Sequence, residues 1–309
     1  MRGYNPVIRD FLVTKDLCIF SVVDYRHPDE RIRALLRYIP DEGGERRRRG
    51  LSYRKVEFEE SFEVIDKTRY LVTDVHEVPR SEVMEILRPP EGLKRAMRRS
   101  ERVKGLMKIM SGIPEGKIGI TGSYLCELED ENSDIDLVVY GNFWNVARKM
   151  IREATLKGEM KELTDEMWRM IYRKRDPEIS FEEFLIHERR KWNRGAIGDV
   201  YFDLLYVSEE PPPFYPKGER IERAEITARV VDASHSFNSP AIYRVEHPEI
   251  EAVLSYTHTY AGQALEGELI EAKGWIEELE DGRRILVVGS SRRAKGEYIK
   301  SITLLERSE

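Results

Sequence analysis

The spacing of apolar positions changes several times along the chain. Residues 17–25, LCIFSVVDY, and the alternating stretch 68–78 predict strands. Residues 31–39 are apolar at Ile32, Leu35, Leu36 and Ile39, a helical spacing, although 35–39 also fits a strand. Val83, Ile86 and Leu87 predict a helix over 80–87, and Pro89-Pro90 then breaks the pattern. Leu93, Met97, Ser100, Val103, Met107 and Met110 mark one helix over 92–110. Residues 118–141, IGITGSYLCELEDENSDIDLVVYG, predict a strand, a Gly-Ser turn, an acidic loop and a second strand. Helices follow from Asn142 to about 154, over 164–175, and from a capping box at Ser180 and Glu183. Residues 198–207, GDVYFDLLYV, predict another strand. Beyond the stiff prolines 211–213, the pattern is mostly β, and Asp281-Gly282 predicts a hairpin turn between 268–278 and 284–288.

These breaks predict an α+β chain in three parts: an α+β domain over 1–88, a mixed-sheet core over 89–210, and a β-rich domain over 211–309 compatible with a small barrel of oligonucleotide-binding type.

The core carries the candidate chemistry. Successive strand side chains alternate faces, so Asp134 and Asp136 share one face while Ile135, Leu137 and Val139 share the other. Two neighbouring carboxylates repel unless compensated, and a hard cation that prefers oxygen ligands compensates them. Asp203 interrupts an apolar strand, where a charge is costly unless paired or metal-bound. Asp199, just after Gly198, reads as a turn residue, and Cys126 as a small, partly buried one. Gly122 permits a tight turn and close approach to a ligand, and Ser123 offers a hydroxyl and a backbone N–H to a phosphate.

The sequence hydrophobic-Gly-Ser, a spacer of about ten residues, Asp-hydrophobic-Asp, and a later hydrophobic-Asp-hydrophobic strand resembles the DNA polymerase beta-type nucleotidyltransferase superfamily over 117–207. The whole chain also resembles an archaeal group of nucleotidyltransferases with extra domains on both sides. The resemblance implies that Asp134, Asp136 and Asp203 are catalytic and bind metal, with two Mg²⁺ ions (or Mn²⁺). Gly122 and Ser123 would hold the phosphates of an NTP, and Asp203 would help activate an acceptor hydroxyl. The flanking domains favour RNA as acceptor. A small molecule or protein side chain as acceptor, or a binding protein without turnover, is the alternative. One departure stands out: the acidic loop 127–131 supplies no cation for a triphosphate. The basic cluster His187, Arg189, Arg190, Lys191 and Arg194, shortly before Asp203, is the candidate source, with Arg190, Lys191 and Arg194 expected to bind nucleotide. The alternative is a helix end whose charge suits the helix dipole.

Other basic stretches read two ways. The stripe Lys94, Arg95, Arg98, Arg99 and Arg102 could follow phosphates or pair with the chain's many glutamates. Residues 46–49, four consecutive arginines, read as a solvated loop more readily than as a nucleic-acid contact. In the last domain Phe237, Tyr243, Tyr256 and Tyr260, with Arg292, Arg293 and Lys295, could stack on and neutralise single-stranded nucleic acid.

Composition narrows the picture. A net charge of −6 argues against binding nucleic acid over the whole surface. Charged residues at 35% suit a thermophile with surface ion-pair networks. Cys18 and Cys126 form no CxxC pair, so neither a disulfide framework nor a cysteine-rich zinc site is expected. No apolar run is long enough to span a bilayer and no signal peptide is evident, so a cytoplasmic protein is expected.

Overall fold

A computed structural model of the chain describes residues 4–198, 200–290 and 294–308. Contacts divide it into two compact units, 1–161 with 193–211 and 162–192 with 212–309.

The first unit holds two sheets. The N-terminal one is antiparallel, in the order Arg46–Arg48, Leu51–Lys55, Arg31–Pro40, Ile19–Val22, Phe11–Thr14 and Val83–Leu87, with His76–Pro79 also paired to Arg31–Pro40. Three of its members differ from the sequence expectation. Residues 31–39 form a strand because Ile32, Ala34 and Leu36 alternate into the core, a period of two partly hidden by the apolar Leu35, and a register shift opposite Ile19 and Phe20 then turns Tyr38 to the other face. Residues 83–87 form a strand after a short 3₁₀ turn at Arg80–Glu82. The arginine run is not a loop: Arg46–Arg48 pairs with Leu51–Lys55 through a turn at Arg49-Gly50.

One face of this sheet buries Leu12, Phe20, Ile32, Leu36 and Val78. The other packs Phe11, Val13, Ile19, Tyr38 and Tyr53 on Leu125, Cys126 and Leu128 of the core. That contact explains why the Pro89-Pro90 break lies inside one unit. The two prolines open the helix Pro89–Arg99, where a missing N–H leaves no bond unmade. The expected single helix over 92–110 is two, Pro89–Arg99 and Glu101–Ile109. Ser100 ends the first and caps the second by accepting from Val103 N at 3.3 Å.

The core sheet runs Arg194–Ile197, Val200–Val207, Ile135–Tyr140, Ile118–Ile120, with the two central strands parallel and the outer pairings antiparallel. The Gly-Ser turn proves to be the start of a short helix, Gly122–Cys126. The helix Phe143–Leu156 follows the Ile135–Tyr140 strand and buries Trp144, Ala147 and Ile151.

In the second unit, five strands close on themselves in the order Glu219–Asp232, Ala241–Glu246, Ile250–Ser255, Arg284–Val288, Leu269–Glu278 and back to Glu219–Asp232. The expected barrel and its hairpin through Asp281-Gly282 are both present. Closure leaves no open edge around the ring, and Ile242, Leu254, Ile285 and Val287 fill it. The helices Asp165–Arg175 and Phe181–Lys191 belong to this unit, the second opened by the Ser180/Glu183 capping box.

Candidate active site

The carboxylates meet through strand register. Asp136 and Asp203 are direct partners across the parallel pair of central strands. Adjacent strands lie roughly 4.8 Å apart, so the two side chains stand side by side. Asp136 is half-buried, Asp203 is buried, and Asp134 lies exposed just before its strand.

Gly122 lies close against Asp136. Its φ is +64°, and a Cβ there would lie 2.6 Å from Asp136 Oδ2. Only glycine lets the turn approach the carboxylate this closely. The preceding residue fixes the approach, since Thr121 N donates to Asp136 O at 2.9 Å. Ser123 follows in the first turn of the short helix and is half-buried.

Cations stand against these carboxylates. Arg194 is the register partner of Asp203 on the antiparallel side, and its Nε lies 3.3 Å from Asp203 Oδ1 with both side chains buried. Asn193 Nδ2 approaches the same oxygen at 3.5 Å. Burial lowers the proton affinity of the Arg194 guanidinium, but Asp203 and Tyr201 outweigh it and hold it above the ordinary value. Arg9 enters from the N-terminal region. Burial holds its guanidinium below the usual arginine range, against the opposing pull of Asp136 and Asp203. No sequence signal pointed to Arg9, which lies far from the motif in the chain.

The oxygen donors suit a hard divalent cation. Among the described residues no three His, Cys, Asp or Glu side chains converge into a ready-made cage. The two adjacent carboxylates of Asp136 and Asp203 match the way Mg²⁺ is usually held, by one or two carboxylates completed by water and substrate phosphates.

The other expected phosphate ligands are engaged elsewhere. Arg190 donates to Glu268 Oε1 and to Gln263 O, each at 2.6 Å. Lys191 is buried, donating to Glu188 Oε1 at 2.5 Å and Thr259 O at 2.9 Å. These contacts fasten the helix Phe181–Lys191 to the barrel of the second unit, and only Arg194 of the cluster lies beside Asp203. The basic stripe of the Pro89–Arg99 region neutralises the acidic loop instead. Arg95 pairs with Glu127, Arg99 with Glu129, and Arg102 donates to Glu131 O. Arg46 joins them, donating to Leu128 O at 2.7 Å and Ser133 Oγ at 3.0 Å and pairing with Asp130 at 2.9 Å. Of the barrel aromatics, Tyr243 and Tyr260 are core residues, Phe237 packs over Gly262, and Tyr256 is exposed. Lys295 pairs with Asp176 and Glu178. Asp199, Arg292 and Arg293 lie outside the described residues.

Asp136 and Asp203 thus pair across the two central strands, with Gly122 against Asp136. A family model described as "Nucleotidyltransferase domain" matches residues 101–193, which include Gly122, Ser123, Asp134 and Asp136. The chain belongs to this polymerase-beta-type nucleotidyltransferase family. It is similar over nearly its whole length to the uncharacterized protein MJ1086 of Methanocaldococcus jannaschii. The two are 34% identical over 333 aligned positions, covering 95% of this chain and 98% of the relative. No solved structure matches. The family places the chain among transferases acting by nucleotidyl transfer on an NTP. Among the described residues no helix is long and apolar enough to cross a membrane.

Proposed function

We propose that the chain transfers a nucleoside monophosphate from an NTP to an acceptor hydroxyl and releases pyrophosphate. The carrying observation is the register pairing of Asp136 with Asp203 beneath Gly122. Asp134, Asp136 and Asp203 would hold Mg²⁺ or Mn²⁺, whose chemistry is to neutralise charge on the reacting phosphate and the leaving group. Gly122 and Ser123 lie where the triphosphate backbone would rest. The acceptor oxygen attacks the α-phosphorus, the bond to the β-phosphate oxygen breaks, and pyrophosphate leaves with the electron pair. The hydroxyl proton passes to the Asp203 carboxylate or to water beside it.

RNA is the favoured acceptor. In support, the barrel carries a half-buried Trp275 with the guanidinium groups of Arg220 and Arg223 at 5.4 and 5.2 Å from its ring. An aromatic ring with cations close by suits a base beside a phosphate, although Arg220 and Arg223 also pair with Glu277 and Glu297.

The test is label transfer from each α-labelled NTP to total RNA in the presence of magnesium. The Asp134→Asn/Asp136→Asn double variant serves as control. Label on RNA that disappears in the control is the expected result. Label on protein, or on a small molecule only, would replace RNA as acceptor. Unchanged labelling by Asp136→Asn would refute the assignment of the site.

A further inference from the structure

The site faces a charge problem that the motif does not solve. A triphosphate needs cations, the loop after Gly-Ser is acidic, and Arg190 and Lys191 are committed to the barrel. Around the core most arginines are matched: Arg46, Arg48, Arg49, Arg95, Arg99 and Arg194 all have carboxylate partners. Arg9 and Arg37 differ.

Arg9 is held in place by its own backbone. It sits at φ +77° in a tight turn, where Asp10 N donates to Val7 O at 3.0 Å and Val7 N to Asp10 Oδ2 at 2.9 Å. A non-glycine residue in this region costs energy, and such residues cluster where a side chain must be aimed. The aim is toward the core sheet. Thr121, the residue before Gly122, donates its hydroxyl to Arg9 O at 2.9 Å. Ile8 packs on Val138 and Val207 of the two carboxylate-bearing strands. The Arg9 guanidinium lies within electrostatic reach of Asp136, Asp203 and Arg37, and its buried Nε has no acceptor among the described residues. A sealed N–H without a partner is costly and asks for one.

Arg37 lies half-buried on the strand Arg31–Pro40, within electrostatic reach of Arg9 and of Cys126 at the end of the short Gly122 helix. Its side chain has no ion pair or hydrogen bond among the described residues. Two guanidinium groups that repel each other, one carried by a turn whose backbone is bonded to Thr121, form a place for an anion.

Resting on the reading of this site as a nucleotidyltransferase centre, we propose that Arg9 and Arg37, supplied by the N-terminal sheet region, bind the terminal phosphates of the incoming nucleotide. The N-terminal region thereby supplies part of the nucleotide site itself. Arg9 reaches it from a strained turn and Arg37 from a strand, so both cations are placed before the nucleotide arrives.

The test uses the full chain and magnesium tripolyphosphate, which carries the phosphate chain without base or acceptor, in isothermal titration. Wild type is expected to bind. Arg9→Ala and Arg37→Ala should each weaken binding about tenfold or more, and Arg9→Lys should retain part of the affinity. Melting temperatures, followed alongside, separate lost contacts from lost folding. Should Arg9→Ala fail to fold, Arg37→Ala and Arg9→Lys decide. Wild-type affinity in the variants would overturn the arginine assignment and leave the nucleotidyltransferase site standing. Absence of binding by wild type would overturn the site and the assignment together. Unchanged tripolyphosphate affinity with weakened binding of a short RNA would move the arginines to the acceptor and also overturn the proposal.

Discussion

Replacing Gly122 by alanine tests the contact between turn and carboxylate. The added Cβ would lie 2.6 Å from Asp136 Oδ2, whereas ordinary contact begins near 3.4 Å. The carboxylate must therefore retreat by about 0.8 Å or the turn must move. Strain adds to this, because alanine at φ +64° sits in the left-handed region at a cost of about 1–2 kcal/mol. For a domain of 150–250 residues that corresponds to a melting shift of roughly 2–8 °C. The displacement matters more for function, since misplacing a reacting group by about 1 Å can reduce a rate about a hundredfold. Gly158 supplies the control. It has φ +73°, but nothing lies within 4 Å of the place a Cβ would take, so its alanine variant carries strain without a collision. Thermal melting and label transfer should separate the two. Both variants should melt lower, while only Gly122→Ala should lose most of its transfer. Full transfer by Gly122→Ala would show that Asp136 has room to spare and would refute the argument.

Two further outcomes concern the second unit. His187 is buried, and its Nε2 accepts from Ser301 N at 2.9 Å, so the proton sits on Nδ1 and points to Glu183 O at 2.6 Å. Burial pushes its pKa down to about 4 from an ordinary 6.5. The unfolded chain thus takes up the proton first, and stability is lost as pH falls from about 6.5 through about 4, by roughly 3 kcal/mol at the acid end. Denaturant titrations at pH 7.5 and 4.5 should show this loss, smaller in His187→Gln; equal pH dependence in the two proteins would contradict it. Lys191→Met should destabilise the second unit by about 1–3 kcal/mol, because buried Glu188 loses its lysine and keeps only the longer pairing with Arg175 at 3.7 Å. Magnesium tripolyphosphate affinity should stay unchanged; a selective loss of that affinity with normal melting would restore Lys191 to the nucleotide site.

The sequence made some of this legible and concealed the rest for identifiable reasons. Asp134 and Asp136 stood out because a strand's period of two separates them from Ile135 and Leu137, and Asp203 because a charge within an apolar strand demands a partner. Their register could not be read, since parallel pairing joins segments far apart in the chain. The strand at 31–40 was masked by Leu35 beside Leu36, and the helix at 92–110 gave no sign that Ser100 would cap rather than continue. The basic cluster before Asp203 misled through chain proximity. Trp192 adopts the left-handed conformation at the helix end, and the chain passes there from one contact unit to the other. Arg190 and Lys191 thus remain with the barrel while Arg194 enters the core.

Charge pairing links these observations. The acidic loop after Gly-Ser looked unsuited to a triphosphate, yet Arg46, Arg95 and Arg99 pair with Asp130, Glu127 and Glu129, and Arg102 reaches the loop backbone. The loop's negative charge is therefore largely balanced by local partners. Its pairing with Arg46 also ties it to the N-terminal sheet, and the turn that leads into that sheet's first strand delivers Arg9 beside Thr121. The same region thus restrains the acidic loop and presents cations to the carboxylate edge. An N-terminal region with both roles cannot be removed without disturbing the core, which is why the apolar face of Phe11, Ile19 and Tyr38 is shared with Leu125 and Cys126 rather than closed on itself.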